Sequence, residues 1–174
     1  SLVAALLFSF VNLLFFLLHL LNASSPLKCP PSLSNYSVLT SIFNVYRPPP
    51  ATTKTRKSVP FSDFLTDLET LLSLAATTPH EFLITGDFNL HLDDPNDPHV
   101  KQFLCVINST NLTQHVYFPT HRDQHTLDLV ITPTSSSLLP VIDYSPVSPS
   151  DHFPIFSTLT ISPLPPPPVS QLSF

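Results

Sequence analysis

The chain reads as an α/β sandwich, on three observations. Short apolar runs rich in β-branched and aromatic residues alternate with two segments whose apolar residues recur every three or four positions. The order is strand, helix, strand, helix and then several strands in succession, unlike the regular alternation of a doubly wound parallel sheet. Acidic and polar residues collect where strands end, the usual location of working loops.

The elements follow in order. Residues 1–21, SLVAALLFSFVNLLFFLLHLL, carry no acidic or basic side chain except His19. As a helix rising ~1.5 Å per residue they would cover roughly 30 Å, the thickness of a bilayer core. A transmembrane helix is one expectation for them, with the positive Lys28 and Arg47 on its C-terminal side favouring a cytoplasmic position for that side; a buried apolar segment of a larger fold and a non-native translation at the edge of a broken reading frame are the others. Residues 22–35 form a connector rich in proline, serine and asparagine. The run YSVLTSIFNV, 36–45, has the composition of a strand, ended by Arg47 and Pro48, Pro49 and Pro50. The loop PPPATTKTRKSVP follows.

Ser62 is placed to cap a helix, with Asp63 in its first turn. Phe61, Phe64, Leu65, Leu68, Leu71, Leu72 and Ala75 then mark one apolar face. EFLIT is a short strand, and Asp97-Pro98 opens a second helix bearing Val100, Phe103, Leu104 and Ile107. Strands are expected in HVYF (115–118), TLDLVIT (126–132), LPVIDY (139–144) and FPIFSTLTI (153–161). The tail at 162–174 is proline-rich, with the polyproline II composition of a linker.

Composition limits the function. Charged residues make up 11% and the net charge is −5, so no overall basic field recruits nucleic acid, and such a substrate would have to be held by local groups. Cys29 and Cys105 lie far apart without metal-ligand spacing and read as reduced structural thiols. The sequence contains no methionine, which suggests a fragment, a partial gene model or a processed chain. The sequons at Asn22, Asn35, Asn108 and Asn111 would matter only in a secreted protein.

Chemistry concentrates in three places. Gly86 is the single glycine of the chain and stands at the end of an apolar strand, directly before Asp87-Phe88-Asn89. Glycine permits unusual backbone angles and close approach. Asp87 and Asn89, two apart, would share a face of an extended segment, where a carboxylate beside an amide can hold and activate water; an Asp/Asn turn is the plainer reading. Ser150-Asp151-His152 sets a carboxylate beside an imidazole at the start of a strand. Asp128 lies inside TLDLVIT and, if buried, needs a partner, for which a histidine is the natural choice.

NVYRPP (44–49), GDFN (86–89), TLDLVIT (126–132) and SDH (150–152) resemble, in order, the motifs of the endonuclease/exonuclease/phosphatase (DNase I-like) superfamily. PTHRDQHTLDLVIT and SPSDHFPI are most similar to the apurinic-type endonuclease domain of LINE (non-LTR) retrotransposons. The resemblance covers residues 36–161 and implies the C-terminal part of a four-layer α/β sandwich, without the N-terminal half that carries an Asn and a metal-binding Glu. Glu69 and Glu81 come too late in the chain to substitute. The activity implied is Mg²⁺- or Mn²⁺-dependent phosphodiester hydrolysis, with DNA as substrate, nicked for target-primed reverse transcription. By resemblance, Asp87 would orient or deprotonate the attacking water and Asn89 would contact the phosphate. His152, oriented by Asp128, would bind the phosphate; Asp151 would stand on the metal or leaving-group side, and Tyr46 would bond a phosphate oxygen. His121, Arg122 and His125 are further candidate substrate contacts. Losing a metal-holding carboxylate implies weak or absent activity. The alternatives are a phosphatase of the same superfamily acting on a small phosphoester, and a non-catalytic membrane-associated remnant. Localisation would be nuclear or cytoplasmic for a retrotransposon product and membranous if residues 1–21 span.

Overall fold

The computed structural model describes residues 5–10, 13–21, 39–49, 60–138 and 140–159, with 5–10, 13–21 and Leu39 as backbone only. The connector, most of the basic loop, Cys29 and the proline-rich tail lie outside the described residues.

The apolar N-terminal run forms strands rather than a helix. β1 (Ala5–Phe10) and β2 (Leu13–Leu21) pair antiparallel, and β2 pairs antiparallel along β3 (Leu39–Tyr46) from Leu14↔Tyr46 to Leu21↔Leu39. No helix of the described residues is long and apolar enough to cross a membrane. A uniformly apolar run has neither a two-residue nor a 3.6-residue period, so its pattern does not separate strand from helix. The neighbouring strand supplies the backbone partners that decide it.

β3 continues in parallel with β4 (Glu81–Asp87), joined through α1 (Phe61–Ala76). After α2 (Pro98–Ser109) come β5 (Leu112–Gln114) and β6 (Asp128–Pro133), antiparallel to each other, and β6 is antiparallel to β4. The resulting sheet runs β1-β2-β3-β4-β6-β5, and a second sheet pairs β7 (Val141–Tyr144) with β8 (Ile155–Thr158).

Alternation along the strands gives the large sheet two buried faces. Phe43, Val45, Phe82, Ile84, Leu129 and Ile131 pack with α1 and α2 residues such as Phe64, Leu68, Phe103 and Ile107. On the opposite face Leu83 and Val130 meet Val116 and Leu138, with Ile142 and Ile155 of the second sheet against them. Helices, large sheet and small sheet thus form three successive layers, in the manner expected of a partial four-layer sandwich.

Two local expectations need correction. Pro60, not Ser62, is the N-cap of α1, and no side chain caps it; the Ser62 hydroxyl turns to Asp63 Oδ1 at 3.2 Å. Proline's fixed φ suits it to this boundary. By contrast, Asp97 caps α2 as expected, accepting the His99 N–H at 2.7 Å. HVYF is not a strand. The Gln114 side chain takes both backbone groups of Val116, donating to its carbonyl at 2.6 Å and accepting its N–H. Those groups are therefore lost to the sheet, and β5 stops at Gln114.

Candidate active site

The large sheet lines up three side chains at one edge. Tyr46 ends β3, Asp87 ends β4 and Asp128 begins β6, and the register pairs Tyr46 with Asp87 and Asp87 with Asp128. Register partners share a face. By alternation this face is the one carrying Leu83 and Val130, toward the second sheet.

Gly86 makes this edge possible. Its φ is +136°, and a Cβ there would stand 1.9 Å from the Val45 carbonyl oxygen and 2.7 Å from Asn44 Oδ1. Only a residue without a side chain lets β4 pass β3 this closely while taking that angle.

The turn after Asp87 is locked from both sides. Asn89 has φ +46°, a conformation asparagine tolerates better than most residues. Its backbone N–H reaches Asp87 Oδ1 at 3.0 Å, and its amide nitrogen donates to Asp87 Oδ2 at 2.9 Å and to the Arg47 carbonyl at 2.7 Å. Both amide hydrogens are thereby engaged. Asn89 braces the Asp87 carboxylate in this conformation, and donating to a phosphate would require exchanging one of these bonds.

Arg47 answers from the other side, donating to the carbonyls of Asn89 at 2.9 Å and Phe88 at 3.3 Å. Its guanidinium lies 5.4 Å and 5.2 Å from the ring centres of Phe61 and Phe64 on α1, within cation–π range. The sequence showed Arg47 only as a positive charge before prolines; its work is to clamp the Asp87 turn.

The segment leading into β8 brings the imidazole. Asp128 Oδ2 and His152 Nδ1 are 2.8 Å apart, the histidine partner expected for Asp128. Asp128 is half-buried, and its N–H and that of Leu127 both donate to the buried Thr120 hydroxyl, at 3.0 and 2.9 Å. Thr120 also accepts the Phe153 N–H on its carbonyl at 2.8 Å, so one residue ties the start of β6 to the approach of β8. Nothing in the sequence distinguished it. His121 and His152 form an isolated β-bridge, and their rings meet edge-on at 5.0 Å.

Asp151 is exposed. Its Oδ1 accepts from the Ser150 hydroxyl at 3.0 Å and its Oδ2 lies 3.4 Å from His121 Nε2. Arg122 donates to the Ser150 carbonyl at 3.1 Å and its N–H to the Asp151 carbonyl at 2.8 Å, so it binds the loop instead of facing a substrate.

These groups surround a cavity of about 410 Å³ lined by Tyr46, Asp87, Asn89, His121, Asp151 and His152 among others. Tyr46, Asp87, Asn89, Asp151 and His152, distant along the chain, all lie on it, and Asp128 stands behind, joined to it through His152. Burial raises the Asp87 carboxyl above the ordinary carboxylate range; hydrogen bonds from Asn89 and the charge of His152 oppose this, and the charge of Asp128 adds to it. For His152 burial favours the neutral ring, but the hydrogen bond and charge of Asp128, with Asp87 and Asp151, outweigh it and raise the imidazole. Hydrogen bonds from Ser150, its own backbone and His121 lower the Asp151 carboxyl.

Two trios offer one ligand atom each within 4.8 Å of one another: Asp87, Asp128 and His152, and His121, Asp151 and His152. Mg²⁺ is typically held by one or two carboxylates and retains several waters, and these trios fit that modest requirement. Neither glutamate of the chain contributes. Glu81 is at the far end of β4, bound to Ser136 and Ser137, and Glu69 is exposed on α1.

A family model described as endonuclease-reverse transcriptase matches residues 40–156. The chain belongs to this family. Among solved structures, the endonuclease domain of TRAS1, a telomere-specific non-LTR retrotransposon, superposes with a TM-score of 0.57 at 13% identity, covering 88% of this chain and 65% of that one. At that identity the likeness concerns the fold, which is DNase I-like; the chain spans about two thirds of the TRAS1 domain. A search of curated proteins gave no match. All four sequence motifs meet at this cavity, through Tyr46, Asp87, Leu127 and His152.

Proposed function

We propose that this chain hydrolyses a DNA phosphodiester, nicking one strand in the manner of a retrotransposon endonuclease. The observation that carries the reading is the Asp128–His152 hydrogen bond beside Asp87, made across 24 residues of sequence and two sheets. Asp87, raised by burial and braced by Asn89, is suited to take a proton from an attacking water. His152 spends Nδ1 on Asp128, which leaves Nε2 to face a phosphate oxygen and stabilise the charge that develops on it. The Tyr46 hydroxyl, on the same cavity wall, can donate to a second oxygen.

A divalent cation, Mg²⁺ or Mn²⁺, would be held by Asp151 with His121, or by Asp87 with Asp128, and would supply charge neutralisation at the phosphate. A supercoiled-plasmid nicking assay tests the reading, with millimolar Mg²⁺ or Mn²⁺ and with EDTA. Slow, metal-dependent nicking lost in Asp87→Ala and in His152→Ala supports it. Equal nicking by all three proteins, or hydrolysis of small phosphomonoesters in preference to plasmid, refutes it.

A further inference from the structure

The cavity holds a second Asp–His couple. Asp93 Oδ2 is 3.0 Å from His125 Nδ1, and Asp93 Oδ1 accepts the Thr126 N–H at 2.9 Å. Both oxygens of the carboxylate are thus fixed, and with them the direction of the imidazole. His91 stacks on that ring, centroids 3.9 Å apart and planes at 29°. His91 and His125 line the cavity together with Asp87 and His152, whereas Asp93 stands behind. The couple uses Nδ1 as His152 does, so its Nε2 is left for a ligand. Hydrogen bonds from His125 and Thr126 overcome burial and keep Asp93 below the usual carboxylate range, hence ionised.

The charges of the cavity explain why a second imidazole is useful. Asp87, Asp123 and Asp151 line it, and among the described residues no lysine or arginine does. Arg47 is committed to the carbonyls of Phe88 and Asn89, and Arg122 to that of Ser150. A polyanion entering this space must find its positive or N–H-donating partners among the histidines.

We infer that the Asp93–His125 couple, with His91 stacked upon it, binds a phosphate of the nucleic-acid strand other than the one being cleaved. This rests on the nuclease reading and deepens it. A phosphomonoester has one phosphate to offer, so a second phosphate contact favours a polynucleotide over it and fixes the strand's register relative to Asp87 and His152. His125 is thus a substrate-binding residue and Asp93 a positioning one.

The test uses the full chain and a labelled DNA duplex, with binding followed by fluorescence anisotropy over a salt series and nicking followed in parallel. His125→Gln keeps a donor for Asp93 but lacks the imidazole Nε2. It is expected to weaken binding and raise KM about ten-fold with a much smaller effect on kcat. His125→Arg, which again offers N–H donors to a phosphate, restores KM. If His125→Gln keeps the wild-type affinity and KM, or lowers kcat at constant KM, the inference is overturned while the nuclease reading stands. A wild-type chain that neither binds nor nicks duplex DNA overturns both.

Discussion

Replacing Gly86 by alanine tests the construction of the site at its most constrained point. The added Cβ would lie 1.9 Å from the Val45 carbonyl oxygen, whereas real Cβ atoms keep at least 3.0 Å, so β3 or β4 must yield by about 1.1 Å. Adjacent strands stand only about 4.8 Å apart, so a shift of that size opens the ladder locally. Alanine at a φ of +136° adds strain of about 1–3 kcal/mol. Loss of two ladder hydrogen bonds adds about 0.5–1.5 kcal/mol each. The sum is a destabilisation of about 4 kcal/mol. Urea unfolding followed by circular dichroism should show a lower midpoint at unchanged m, and nicking should be lost with it. A Gly86→Ala protein within about 1 kcal/mol of the wild type would refute the close-approach argument.

Further expectations concern the clamp, the couple and the caps. Arg47→Met keeps apolar contact with Phe61 and Phe64 but leaves the Phe88 and Asn89 carbonyls without their donor. It should cost about 1.5–3 kcal/mol in thermal or urea unfolding and reduce nicking as the Asp87 turn loosens. Because the His152 imidazole is raised despite its burial, chiefly by Asp128, its stabilising contribution is complete below the ordinary imidazole pKa and is lost as pH rises through the raised one. Asp128→Asn should therefore move the alkaline limb of the pH–rate profile to lower pH and lower kcat about 10²–10⁴-fold; an unmoved limb, or an unmoved His152 titration by NMR, would contradict the coupling. Asp97→Ala should destabilise by about 1 kcal/mol, while Ser62→Ala, which removes no cap, should remain within about 0.5 kcal/mol of wild type in the same melts.

Much of this arrangement could be read from the chain because it is written in local terms. The apolar stripe of α1, the Asp97-Pro98 start of α2 and the β-branched runs of β3, β4 and β6 each declare their element within a few residues. The site residues stood out through ordered short motifs, and the cost of burying Asp128 alone pointed to a histidine partner. The strands at residues 5–10 and 13–21 were not legible, since their state depends on pairing with β3 and not on any period of their own. The end of β5 was hidden for a related reason: one glutamine side chain competes for the backbone. The clamping role of Arg47, and Asp93 and Thr120 altogether, escaped notice because a hydrogen bond between residues distant in sequence leaves no local trace. Asp93 and His125 are 32 positions apart.

The Asp128–His152 bond is a seam. One partner opens β6 of the large sheet, the other leads into β8 of the small one, and Thr120 stitches the two backbones beside it. Joining the two layers and completing the Asp–His pair are thereby made the same event. A molecule whose small sheet has come away holds Asp128 without its imidazole.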